Sequence, residues 1–156
     1  MPNPRILRYD GWEMAKIEAA ERIKAMSAPQ KVYEAFMDFE NYSQWWPAGW
    51  EFTLIKGGNV GAEVMLVRGR LRLMLTVVDV RPGREIQLLV EGDLHGRATI
   101  KFEYQGGQTE INYQMSLQPR SMSLMIFSNV VPYGKGIEKT IRQAVEKLNQ
   151  QLPARS

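Results

Sequence analysis

Hydrophobic and polar positions change period twice along the chain. From Trp50 to Gln118 the period is two. Trp50, Phe52 and Leu54 alternate with Glu51 and Thr53, and similar runs cover Glu63 to Arg68, Arg70 to Arg81, Glu85 to Glu91, Leu94 to Gln105 and Thr109 to Gln118. Such alternation marks strands with one buried face. The runs are separated by Gly57-Gly58-Asn59, Gly69, Pro82-Gly83, Gly92-Asp93 and Gly106-Gly107. Glycine supplies the positive φ of a tight hairpin and proline presets a turn corner, so a meander of six antiparallel strands is predicted.

On both sides of this meander the period is helical. Val32, Ala35, Phe36 and Phe39 recur at helical spacing behind Ser27, a good N-cap, and Pro29, whose missing N–H costs nothing in a first turn. A short helix over 28–38 is expected, then a helical turn over 40–46 that Pro47 ends. Beyond Pro119, Ile137, Ile141, Ala144, Val145, Leu148 and Leu152 form one apolar stripe opposite Glu138, Lys139, Arg142, Glu146 and Lys147. This predicts a C-terminal amphipathic helix. Pro132, Gly134 and Gly136 interrupt its approach, so residues 121–136 should form a separate lid or turn, or a kinked entry.

Residues 14–26 are ambiguous. Their Ala, Glu and Lys content favours helix, yet Ile17, Ala19, Ile23 and Ala25 also share one face at period two. Residues 1–12 read as an arm ahead of one domain over 13–152, since neither repeats nor linker-like composition divide the rest.

Composition narrows the chemistry. The chain has no cysteine, which excludes disulfides, thiolate catalysis and cysteine-bound zinc. Its longest apolar stretch, Leu124 to Val131, is broken by Ser128 and Asn129 and falls short of the roughly 20 residues of a spanning helix. Stable membrane insertion is therefore not expected, although Met122 to Val131 would suit peripheral contact with a membrane or partner. The start of the chain lacks a basic segment followed by an apolar run, so cytoplasmic residence is the expectation. A net charge of +3, spread along the chain without interleaved aromatics, gives no nucleic-acid signature. Phosphate loops, nucleophile elbows and zinc-helix motifs are all missing, and neither a cofactor nor a metal is expected.

Two segments carry a family likeness. One runs from Ser27-Ala28-Pro29 through Tyr33, Phe36 and Tyr42 to Trp45-Trp46-Pro47. The other is Gly92-Asp93-Leu94-His95-Gly96-Arg97-Ala98 followed by Gly106-Gly107-Gln108-Thr109. With the order of elements, they resemble the START-like (SRPBCC) superfamily, which includes polyketide cyclase/dehydrase-like, coenzyme Q-binding and birch-pollen-allergen proteins. The resemblance spans 14–152 and implies an α+β helix-grip fold. In that fold a curved antiparallel sheet of about seven strands wraps a long C-terminal helix, with two short helices after strand 1. It also implies that 14–26 is a strand. These motifs are structural, so they speak for fold more than for function.

The resemblance further implies an internal cavity for a hydrophobic small molecule such as a lipid, quinone or polyketide-like compound. On one face of the run from Leu94, Gly96 and Ala98 are small enough to leave space beside Ile100 and Phe102. Met74, Met115, Met122 and Met125 would give a tolerant lining. Trp45 and Trp46 are candidates to gate it, and Tyr42 and Tyr133 to offer a hydroxyl. Should the cavity host a cyclisation or dehydration, the weak catalytic candidates are Arg72, His95 and Tyr113. Arg72 would hold a carboxylate or polarise a carbonyl if it faced inward, with Glu91 and Asp93 as possible partners of the arginines around Gly69. His95 has an imidazole suited to proton transfer, although polar neighbours at Arg97 and Thr99 point it to solvent.

Overall fold

A computed structural model of the chain describes residues 17–120 and 130–152, with the backbone alone at 130–134. The elements are β1 (Ile17–Ala25), α1 (Pro29–Met37), a 3₁₀ helix (Phe39–Gln44), β2 (Glu51–Lys56), β3 (Glu63–Arg68), β4 (Leu71–Arg81), β5 (Glu85–Gly92), β6 (Leu94–Gln105), β7 (Gln108–Pro119) and α2 (Val130–Gln151). The strands form one antiparallel sheet in the order β1-β7-β6-β5-β4-β3-β2. Consecutive strands from β2 to β7 are neighbours, as short glycine turns require. The sheet curves round α2, and register shifts at Leu54/Lys56 and Val77/Asp79 interrupt its ladders. This is the α+β helix-grip fold.

Pairing decides the ambiguous first segment. β1 aligns with β7 from Ile17↔Leu117 to Ala25↔Thr109, which buries Ile17, Ala19, Ile23 and Ala25. Nine residues of ladder and an apolar face outweigh a helix preference of a few tenths of a kcal/mol per residue. The outer edge of β1 is occupied as well. Glu138 accepts the Ala20 N–H at 2.8 Å, and Asn149 accepts the Met26 N–H at 2.9 Å while donating to the Lys24 carbonyl at 3.2 Å. Arg142 pairs with Glu21 between them. The polar margin of α2 thus blocks an edge that would otherwise offer a free ladder.

Two local expectations need correction. Ala28, not Ser27, is the N-cap of α1, and no side chain caps it. Ser27 is buried instead, its carbonyl accepting the Thr109 hydroxyl at 2.6 Å, so it ties the chain to β7. Of the alternatives for 121–136, a separate lid or turn does not reach past 129, because Val130 to Gly136 belong to α2. The rest of the expected lid, 121–129, lies outside the described residues, as does the arm over 1–12.

Candidate ligand-binding cavity

Inward positions on the strands follow strict parity: Leu71, Leu73, Leu75 and Val77 on β4; Ile86, Leu88 and Val90 on β5; Leu94, Ala98, Ile100 and Phe102 on β6. Aliphatic residues at one end of this face, with the first turns of α2 above them, enclose a cavity of about 560 Å³. Its walls include Leu66, Leu73, Leu88, Ala98 and Ile100 from the sheet and Ile137, Thr140 and Ile141 from α2. One flank is aromatic: Phe39, Tyr42, Trp46, Trp50 and Phe52. The 3₁₀ helix makes this flank by stacking Tyr42 on Trp46 at 5.5 Å and bringing Trp46 edge-on to Phe52 at 5.5 Å. Arg68, Gly69 and Gly136 are the exposed lining residues, so the open side lies between the β3–β4 turn and the start of α2.

Polar groups in the lining are few. The Tyr42 hydroxyl donates to the Phe36 carbonyl at 2.5 Å, and Thr140 donates back to the Gly136 carbonyl at 2.9 Å. Both donors are therefore committed. Tyr113 is buried, and among the described residues its hydroxyl bonds only the Met115 sulfur, at 3.8 Å, a weak acceptor. Burial raises its pKa well above the ordinary 10.0, and burial, then Tyr113 and Asp38, raise that of Tyr42, so both phenols stay neutral. The only buried side-chain nitrogen or oxygen left without a hydrogen-bond partner among the described residues is Trp46 Nε1. Among the described residues, no aspartate, glutamate or histidine lines the space.

Of the residues singled out in the sequence, Trp46, Ala98, Ile100, Tyr113 and Met115 are brought together around the cavity. Trp45 is not among the lining residues; it is buried against Phe36 and Tyr42 at 5.1 and 4.7 Å and clamps α1 to the 3₁₀ helix. Phe102 faces inward but beyond the cavity's end, against Phe36 at 5.3 Å and Tyr33 at 6.0 Å. Gly96 does not make room either. A side chain there would strike the Ser116 carbonyl oxygen, so its smallness serves the close approach of β6 to β7.

Arg72 and Met74 share the face of β4 opposite to Leu71, Leu73 and Leu75. Arg72 is exposed, and it is its backbone N–H that bonds Asp93, at 2.8 Å. His95 is exposed, one residue out of phase with Leu94. Met122 and Met125 lie outside the described residues, and of Tyr133 the backbone alone is described. Sequence reasoning missed Arg68 as a lining residue. The signal available for it was position: it is the last residue of β3, where strand parity gives way to a turn.

With this geometry in place, the likeness to known proteins is specific. The family described as polyketide cyclase/dehydrase and lipid transport matches residues 14–153. A comparison with curated proteins found no match. Among solved structures, a Chromobacterium violaceum protein is 14% identical with a TM-score of 0.66, over 86% of this chain and 95% of that one. A Rhizobium loti protein is 20% identical with a TM-score of 0.64, over 88% and 99%. DynU16, from the dynemicin biosynthetic locus, is 16% identical with a TM-score of 0.63; 89% of this chain matches 49% of that one. At these identities the structures speak for the fold, and the match across nearly the whole described chain speaks for descent: the chain belongs to the polyketide cyclase/dehydrase and lipid transport family.

Proposed function

We propose that the protein binds, and carries or presents, a hydrophobic small molecule in this cavity. The supporting observation is the 560 Å³ hollow walled by leucine, valine, isoleucine and aromatic side chains. It falls within the roughly 300–1,000 Å³ of small-molecule sites. Left without a guest, such apolar walls forgo the packing contacts that a filled interior would give them. Water is a poor filler here, because each buried molecule needs two to four polar partners and the walls offer few. An apolar guest supplies those contacts and uses the lining as it stands.

Cyclisation or dehydration in the same space is the second reading, and Tyr113 is the observation that favours it. A neutral buried phenol inside the cavity could donate to a carbonyl oxygen. The other two candidates for that chemistry, Arg72 and His95, are exposed and off the cavity, which leaves binding as the stronger reading.

Native mass spectrometry of gently purified protein, paired with organic extraction, tests the proposal. A retained apolar mass that extraction releases is expected. Protein that stays free of guest and refuses apolar probes of matching size would overturn it.

A further inference from the structure

Among the described residues, the side-chain groups around the cavity that still lack a strong partner, on Arg68, Trp46 and Tyr113, can each donate a hydrogen bond. Arg68 is the only charged residue among the described lining residues, and a guanidinium has no acceptor. Its carbon sits 4.7 Å from the centre of the Trp50 ring. A guanidinium held over a ring in this way keeps N–H groups available for a bidentate partner. Arg68 has no carboxylate partner among the described residues. Trp46, next to Trp50 at 6.4 Å between rings, carries the unpartnered buried indole N–H. Tyr113 adds a phenol whose hydroxyl has a thioether as its hydrogen-bond partner among the described residues.

We infer that the ligand is an acidic amphiphile, with its apolar body inside the cavity and its carboxylate at the mouth on Arg68. This rests on the binding function proposed above and names the class of molecule. Charge position favours it over a neutral lipid. A cation at the open side meets a carboxylate without forcing that charge into an apolar interior, and Trp50 holds the fork in place before the ligand arrives. An oxygen along the body of the ligand would in turn satisfy Trp46 or Tyr113.

The test compares three twelve-carbon probes below their micelle concentrations at pH 8: dodecanoate, dodecanol and dodecyltrimethylammonium. Titration by tryptophan fluorescence and calorimetry should show dodecanoate bound about tenfold or more tighter than dodecanol, and the cation weakest. Arg68→Gln should weaken the acid about tenfold more than the alcohol and so close the gap between them, and 1 M salt should narrow it in the wild type. Equal affinity for acid and alcohol, or a gap that survives Arg68→Gln, overturns the acidic class while leaving the cavity a binding site. Failure of all three probes overturns the binding function as well.

Discussion

Between Ile100 and Phe102 on β6 the interior changes character. Ile100 lines the cavity; Phe102, the next inward residue, is packed solid. The same boundary crosses each neighbouring element. On β3 it falls between Leu66 and Val64, on β4 between Leu75 and Val77, on β5 between Leu88 and Ile86, on β7 between Tyr113 and Ile111, and on α2 between Ile141 and Ala144. Both halves are apolar and belong to the same curved sheet and the same helix. What differs is the plug. On the packed side α1 lowers Tyr33 and Phe36 onto Phe102, and rings fill what the curved sheet and α2 leave open. On the other side no element described here does this, and the space remains. Emptiness is thus local to one end of a continuous core, and mutations of like chemistry should behave differently across the boundary.

The largest contrast is expected from truncation. Phe102→Ala should cost about 3–5 kcal/mol, because the rings around it cannot collapse into the gap. Leu73→Ala, an equally apolar truncation on the hollow side, should cost about 2 kcal/mol or less, since it enlarges a space already present and adds little cavity penalty. Urea unfolding of both variants measures the difference. Equal losses would mean that the hollow half is as tightly packed as the other.

Alkaline pH probes the hollow half through Tyr113. Burial raises its pKa in the folded protein above the unfolded 10.0. Its contribution to stability is therefore complete below pH 10 and is lost as pH rises beyond that, because the unfolded chain releases the proton first. Each such group steepens the fall by about 1.4 kcal/mol per pH unit. Tyr42, buried at the aromatic flank, acts in the same direction. Tyr113→Phe should leave stability near neutral pH almost unchanged and make the decline above pH 10 shallower by one group's worth. Urea midpoints from pH 7 to 11.5 check this, and an unchanged slope would place the phenol in water.

Adding volume tests the comparison from the other direction. Ala98→Leu on the hollow side should alter stability by no more than about 1 kcal/mol, whereas overpacking a filled core costs about 1–3 kcal/mol. The same change should weaken binding of an apolar probe at least about tenfold, because the added side chain occupies the ligand's space. A destabilised variant with unaltered binding would relocate the cavity.

Much of this division follows from rules a sequence displays, and part of it does not. Period two along β3 to β7 predicts the inward face, and Gly106-Gly107 predicts its hairpin, with φ of 58° and 86° in the structure. Parity also contained the correction for Arg72 and Met74, which are even-numbered on a strand whose leucines are odd; carried along β4, it would have set both outside. Gly96 shows where parity stops helping. It lies on the inward-facing set, yet its smallness answers a backbone approach across to β7, a three-dimensional fact with no local mark. Nor does periodicity tell Ile100, at a void, from Phe102, in a packed core. That depends on where α1 lands after it leaves β1, which is set by tertiary packing.

The smallest effect expected concerns how α2 is held at the two ends. Near the hollow half its tie to β1 is the Glu138 carboxylate on the Ala20 N–H; near the packed half Asn149 makes two bonds, to Met26 and Lys24. Both ties are exposed, and an exposed hydrogen bond contributes about 1 kcal/mol or less. Glu138→Ala should therefore barely move the unfolding midpoint, yet amide exchange at Ala20 should quicken, because water becomes the only acceptor left to that N–H. Beneath this end of α2 lies space, whereas Ala144, Val145 and Leu148 anchor the other end in packed core. Loosening should accordingly spread to the amides of 137–141 after Glu138→Ala and remain confined to 24–26 after Asn149→Ala. Hydrogen exchange resolved by residue measures both patterns. Confinement in both variants would mean that the first turns of α2 are held by the cavity walls as firmly as the last turns are by the core, and that the hollow end has no looser helix through which a guest could enter.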